Sequence, residues 1–480
     1  MVNKYITTTL PYVNSDPHIG FALEIIQADA LARYWRLIGH DVFFSTGTDE
    51  HGQKIAEKAD EKGEPRQTYV DYYANEFKKL GGALSLSYDN FIRTTNPAHE
   101  AATQELWKRC NDAGDIYKKK FSGLYCVGCE SFKTESDLVE GRCPDHPATQ
   151  LEHIEEENYF FRLSKYQQYL EEYLAKEAVV VPEWRRQEAL TFVQGGLEDF
   201  SISREKTRLD WGVPVPGDET QVMYVWFDAL TNYISTLGWP EDAEGRYKAF
   251  WAEGEPFQVA GKDQVRFQSI MWQAMLKSAG LAPTHRVFYH GFITSGGQKM
   301  SKSIGNVISP FELVERYGTE ATRYLLLRHV HSFEDTDITW ERLDEWYNAH
   351  LANGLGNLVS RVMKMAEDNL DAPVVVKDQA LEETFTAKLD AFRFDEAFET
   401  VFLHIGKGDL HIQETQPFKM LKSEDESVRA EGKAIIEKLV HHIYRIAEHL
   451  VPFMPVTAEK IKEAVRLNKK PDTLFARLDT

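Results

Sequence analysis

The chain has 480 residues, enough to divide into two to four domains rather than form one core. Its 55 Lys+Arg against 75 Asp+Glu leave a formal charge of −20, which argues against a protein that coats DNA through many phosphate contacts; an RNA partner held by local basic and stacking groups stays open. No apolar run approaches the ~18 residues of a membrane span, and the start, MVNKYITTTLPYVN, lacks the basic-then-apolar order of a signal peptide, so a cytosolic protein is expected.

In chain order, residues 4–10 are β-rich, the turn PYVNSDP follows, an amphipathic stretch runs to about residue 38, and DVFFST reads as a second strand. That is a βαβ unit, and βαβ units imply a parallel sheet. Helical patterns at 66–80 and 97–113 complete a first half, residues 1–115. Residues 116–220 differ in character and read as an insertion, with a cysteine cluster, the acidic run LEHIEEEN and the turn WGVPVPGD. From QVMYVWFDAL an apolar strand and helix pattern resumes over 221–295, a second half of the same sheet. Residues 296–345 carry a Gly/Ser/Lys loop and its flank, and 346–480 read as a helix bundle. On the helix expected over 343–367, Leu351, Leu355, Leu358, Val362 and Met365 form one apolar stripe.

Two short segments carry chemistry. In NSDPHIGFALE, Ser15 or Asp16 can cap a helix and Pro17 suits its first position. His18 and Gly20 then fall in the first turn, where unpaired N–H groups and the helix dipole favour an anion. Gly20 costs roughly 1 kcal/mol against alanine in a helix, so something flat or bulky is expected against the backbone there. The plainer reading is a capping turn with an incidental His. The second segment is GGQKMSKSIGN, which sets Lys299 and Lys302 three apart in a stretch of mostly Gly, Ser and Asn whose apolar residues are Met300 and Ile304. It has the makings of a mobile arm bringing two ammonium groups to a phosphate.

Between them, Cys126-x2-Cys129 and Cys143-x2-His146, 13 residues apart, offer a Cys3His set at zinc-ligand spacing. Four protein ligands fill a tetrahedral site, so one structural Zn2+ is expected. Cys110 reads as a buried thiol.

HIGF at 18–21 after a strand, with KMSKS at 299–303, resembles the HIGH and KMSKS pair of class I aminoacyl-tRNA synthetases. TTTLPYVNSDPHIGFALE, FFSTGTDEHGQKIAEKA, LYCVGCESF, NYFFRLSKY, LEDFSISR, DWGVPVP, YVWFDALTNYI and GKDQVRFQSIMW narrow the resemblance to the methionyl-tRNA synthetase family over about residues 4–310. The fold it implies is α/β: a Rossmann-like parallel sheet split by a zinc-binding insertion, then an all-α helix-bundle anticodon-binding domain. His18, Gly20, Lys299 and Lys302 would be catalytic and handle ATP with its Mg2+, alongside Phe21 and Asp263. Leu10, Tyr12, Trp226, Ala229, Tyr233, Phe267 and Gln268 would form the methionine pocket, with Asp49 on the α-ammonium. Asn357 and Arg361, with Phe418, would read the anticodon of tRNA(Met), and Asn353 lies on the same face. A thioether must be selected by shape and sulfur–aromatic contact, which suits Trp226, Tyr233 and Tyr12.

Four positions depart from the family pattern: Phe21 where His is usual, Gln264 where an apolar residue is common, Gln268 where His follows the Phe, and Phe418 where Trp is common. The end at Thr480, without the extra C-terminal module of some relatives, implies a monomer. Two alternatives stand beside this reading: a class I synthetase for another amino acid, and a catalytically silent tRNA-binding protein.

Overall fold

The computed structural model describes residues 2–127, 131–133, 135–144, 149–300 and 307–478. Backbone proximity groups them into two units: Met1–Pro17, His40–Gly81 and Tyr88–His290 in the first, and His18–Gly39, Gly82–Ser87 and Gly291–Thr480 in the second.

The first unit is built on six parallel strands: β1 (Asn3–Thr8), β2 (Asp41–Thr48), β3 (Asn90–Arg93), β4 (Val180–Val181), β5 (Glu255–Gly261) and β6 (Arg286–His290), in the order β3-β2-β1-β5-β6-β4. The central strand, NKYITT, is aromatic and β-branched where it is buried, as a strand covered on both faces requires. Ile6 faces Phe44 of β2 on one side and Phe257 of β5 on the other. Two sequence regions far apart along the chain, around Ile6 and Phe257, thus meet in one sheet, as the apolar pattern predicts.

One strand departs from expectation. Asp218–Met223, which QVMYV suggests as the first strand of the resumed sheet, instead pairs antiparallel with Pro214–Val215 and Ser203–Glu205. The tight turn just before it makes a local hairpin, and an antiparallel pair closed by two residues forms more readily than a crossover. The acidic run is also a strand: Glu152–Phe161 pairs antiparallel with Ile116–Cys126 and sets Glu157 opposite Lys120. The same region, expected as a separate insertion, returns β4 to the edge of the parallel sheet beside β6.

The second unit contains helices α1 (Ile19–Leu37), α2 (Thr319–His329), α3 (Asn357–Asn369), α4 (Phe394–Thr415), α5 (Glu426–Leu450) and α6 (Pro455–Leu467), with shorter helices between them. Leu351, Leu355, Leu358 and Val362 are buried as the stripe predicts, but Met365 is half-buried and Met363 and Ala366 are buried instead. Leu358, Val362 and Met365 share the regular helix α3, whose buried face is made by Leu358, Val359, Val362, Met363 and Ala366, so Met365 falls at its edge. At the middle of α1, the fully buried Asp29 accepts from Arg33 Nε at 2.7 Å and from the Ser87 N–H and hydroxyl at 2.6 and 2.7 Å, and forms an ion pair with Arg323 Nη2 at 2.7 Å. Arg323 also donates to the carbonyls of Leu84, Pro452 and Phe453, so the interior of α1 is bolted to the junction between α5 and α6. Among the described residues, no helix is long and apolar enough to cross a membrane.

Candidate active site

The cap of α1 is His18, not Ser15 or Asp16, and Pro17 lies outside the helix. His18 is extended (φ −121°, ψ 166°), and its Nδ1 accepts the Gly20 N–H at 3.1 Å. A Cβ added at Gly20 would meet the His18 ring at 3.0–3.1 Å, so the flat group that glycine admits is the protein's own imidazole. The next donor is also engaged: the Ile19 N–H points to the carbonyl of Ile308, 3.2 Å away. Two N–H groups expected to be unpaired are therefore held within the protein. The Phe21 side chain is buried, part of the packing rather than the helix tip.

Ile308 closes the segment that holds the KMSKS sequence. At the front of that segment, Ile293–Ser295 and Gln298–Lys299 form a small antiparallel hairpin across Gly296 and Gly297, which take φ of +63° and +74°. Asp337 anchors it, accepting from the Gly297 N–H at 2.7 Å and the Thr294 hydroxyl at 3.0 Å. Lys302 lies outside the described residues. Past the segment, Ser309 and Glu312 make a capping box on the helix Pro310–Tyr317. The described residues on either side are thus each tied, those before at Asp337 and those after, through Ile308, to the first turn of α1.

The residues expected to hold an amino acid fall in the first unit. The rings of Trp226 and Phe267 stack at 3.8 Å with 14° between planes. Gln268 and Tyr233 are buried, and the Gln268 amide donates to the Tyr233 hydroxyl at 2.5 Å; the Gln268 main-chain carbonyl accepts from Gln273 at 2.8 Å. Ala229, buried beside them, accepts on its carbonyl from Asn232. The Leu10-Pro11-Tyr12 turn meets Asp49 through two backbone bonds, Asp49 N–H to Pro11 at 3.0 Å and Val13 N–H to Asp49 at 3.1 Å. Asp263 is exposed and accepts from Gln264 at 2.9 Å.

A buried polar frame behind Asp49 is absent from the sequence reading. Glu50 takes both arms of Arg93, at 2.7 and 2.8 Å, and the Thr48 and Thr95 hydroxyls, while the Trp211 indole N–H donates to its carbonyl at 2.7 Å. Asp228 receives His51 Nδ1 on one carboxylate oxygen at 2.7 Å and His99 Nε2 on the other at 2.8 Å. The signal was present in two places: three ionisable residues in a row in TDEHG, and an acid in the otherwise apolar WFDAL.

Cys126, at the end of its strand, and Cys143 are fully buried, whereas Cys129 and His146 lie outside the described residues. Two buried thiols are the half of the Cys3His set that the described residues include; among the described residues no group of three His, Cys, Asp or Glu side chains could hold a metal. Cys110 is buried as expected, and burial pushes its thiol up to about 12, which leaves it inert. In the bundle, Asn353 and Asn357 are exposed, Phe418 is 42% exposed, and the Arg361 guanidinium pairs with Asp409 at 3.2 Å.

Residues 4–153 and 147–363 match the family described as tRNA synthetases class I (M). The chain is 40% identical over 479 residues to a methionine–tRNA ligase of Caldanaerobacter subterraneus subsp. tengcongensis, covering 97% of this chain and 74% of that one. With a methionine–tRNA ligase of Thermosynechococcus vestitus it shares 41% identity over 475 residues, covering 95% and 88%. Among solved structures, Mycobacterium tuberculosis methionyl-tRNA synthetase in complex with methionyl-adenylate superposes with a TM-score of 0.89 at 37% identity, over 100% of this chain and 99% of that one.

Proposed function

The chain belongs to the methionine–tRNA ligases of the class I synthetases, and from that premise we propose that it activates L-methionine with ATP and transfers it to the 3′ end of tRNA(Met). In the first step the methionine carboxylate attacks the α-phosphorus of ATP, the bond to the β-phosphate breaks, and methionyl-adenylate and pyrophosphate result. In the second, the terminal ribose hydroxyl of tRNA takes the methionyl group, AMP leaves, and the hydroxyl proton is released. No side chain need act as nucleophile: alignment and charge stabilisation suffice.

The single observation that carries the reading is the Ile19–Ile308 hydrogen bond, which joins the first turn of α1 to the end of the KMSKS segment. Lys299 and Lys302 meet the charge that builds on pyrophosphate as it leaves, so their contact strengthens in the transition state. His18 caps α1 until a phosphate oxygen competes for the Gly20 N–H; the displaced imidazole is then placed to donate to that phosphate. Asp49, a buried carboxylate, takes the substrate ammonium. Trp226, Phe267, Tyr233 and Ala229, with Leu10 and Tyr12, take the thioether side chain, and Gln268 fixes the Tyr233 hydroxyl. Asp263 serves the ribose, and Mg2+ arrives with ATP. Asn357, Arg361 and the exposed ring of Phe418 read unpaired anticodon bases by hydrogen bonding and stacking. Cys126, Cys129, Cys143 and His146 hold one Zn2+ that braces the end of the antiparallel ribbon; the metal supplies structure rather than chemistry.

Amino-acid-dependent pyrophosphate exchange, run across the twenty amino acids without tRNA, tests this. Exchange with methionine well above all others is expected. Preference for another amino acid would replace the substrate, and no exchange with any would leave only a tRNA-binding protein.

A further inference from the structure

Asp228 is fully buried, yet neither of its oxygens is left for a ligand. One receives His51 Nδ1 and the other His99 Nε2, and the far nitrogen of His99 meets the Ser235 hydroxyl at 2.8 Å. His51 stands two residues after Asp49 and Asp228 two after Trp226. The 2.7 Å contact therefore joins the strand end that carries the ammonium-binding carboxylate to the short helix Val225–Leu230 that carries the side-chain wall. Glu50, the residue between Asp49 and His51, is buried and clamped by the part-exposed Arg93, so the loop cannot shift along β2 without breaking that two-point ion pair.

We infer that His51 and Asp228 are positioning residues that fix the span between the α-ammonium anchor and the side-chain pocket, and so set which length of amino acid is activated. The inference rests on the methionine-pocket reading above. A buried ion pair of this kind adds little net stability over well-packed apolar side chains, whereas removing one partner strands the other's charge. Its worth lies in a fixed distance. Amino acids that differ by one methylene are separated by shape alone, and such discrimination collapses when the ends of the site can drift. The groups facing His51 fit a held cation: Asp228 from its helix, Glu100 at 3.9 Å and His99 from the helix Pro97–Asp112, Glu50 from its own loop, and the edge of Trp211. Burial works against charging His51, but Asp228, Glu100 and Glu50 outweigh it and raise its pKa above the ordinary value.

The test is steady-state pyrophosphate exchange with ATP and amino acid varied separately, using methionine, the shorter S-methylcysteine and the longer ethionine. Asp228→Asn should raise the methionine KM about tenfold or more and leave the ATP KM within about twofold. The same variant should narrow the preference for methionine over both analogues by about tenfold. His51→Asn, whose amide keeps a donor near the Nδ1 position, should retain most of that preference, while His51→Leu should lose it. This pair carries the test if Asp228→Asn does not fold. Unchanged preference in a folded Asp228→Asn protein, or methionine and ATP KM rising together in every variant, would overturn the inference. Wild-type protein that activates a different amino acid would instead overturn the substrate assignment beneath it.

Discussion

Trp226 and Phe267 come from separate helical segments and lie face to face at 3.8 Å, each covering the other. The pair forms a flat, polarisable wall, the surface that a thioether needs in the absence of hydrogen bonds. Trp226→Ala removes one aromatic face, and the lost burial and stacking together amount to about 2 kcal/mol. Its methionine KM should rise about 30-fold with the ATP KM little changed, as read by pyrophosphate exchange; equal rises in both would show a collapse of the unit rather than loss of the wall.

Asp29 and Arg323 set a second expectation, on stability. Both side chains are fully buried, and Asp29 pairs also with Arg33. Removing one member leaves a buried charge at a cost of about 3–5 kcal/mol. Asp29→Asn should therefore lower the unfolding midpoint in urea markedly. Combining it with Arg323→Met should recover part of the loss, and simple addition of the two single effects would show that the pair is not coupled.

The His51–Asp228 pair predicts a pH window. Burial pushes the Asp228 carboxyl up, but the charge and hydrogen bond of His51, with the hydrogen bond of His99, outweigh it and bring it from 3.8 to about 2. A lowered carboxyl contributes stability that is present above 3.8 and lost as pH falls towards about 2. The raised His51 contributes stability that is complete below 6.5 and lost as pH rises through its folded value. Thermal midpoints should thus peak between 3.8 and 6.5 as far as this pair is concerned. Asp228→Asn should flatten the alkaline limb and leave part of the acid limb, because Asp29 is lowered too: there Arg323 and Arg33 outweigh the effect of burial. An alkaline limb unchanged in Asp228→Asn would show that the pair does not set it.

The Cys3His reading predicts about one zinc per chain by elemental analysis of the purified protein. Cys126→Ser and Cys143→Ser, at two buried thiols, should each abolish it and expose the region around residues 126–148 to protease. Zinc-free wild-type protein with equal protease resistance would remove the metal from the account.

What the sequence made legible was local. The β-rich runs at 4–10 and 41–46 and the helices starting near 66 and 97 all lie in short windows whose pattern reflects their own backbone. The failures were of reach and phase. His51 and Asp228 are 177 residues apart, and nothing in either segment encodes that they will touch. His18 serves as its own helix cap because a glycine two residues on makes room for the ring, a geometry that residue preferences would assign to Ser15 or Asp16. The strand Asp218–Met223 reads as part of the parallel sheet because it opens the apolar run QVMYV, yet the turn before it decided its partner. Met365 was misplaced because the apolar stripe took it over Met363 and Ala366, which face the interior on the same helix.

The central claim is that the first turn of α1 and the KMSKS lysines act on the same triphosphate. A double-mutant cycle on single-turnover methionyl-adenylate formation, with His18→Ala, Lys302→Ala and the double variant, tests it most directly. Lys302→Ala alone should slow adenylate formation by about 10²–10³ while barely changing methionine binding. The account predicts that the double variant loses clearly less than the sum of the single losses, a coupling of at least about 0.5 kcal/mol, because both groups stabilise one developing charge. Losses that add without coupling, or a Lys302→Ala protein that forms adenylate at the wild-type rate, would contradict it.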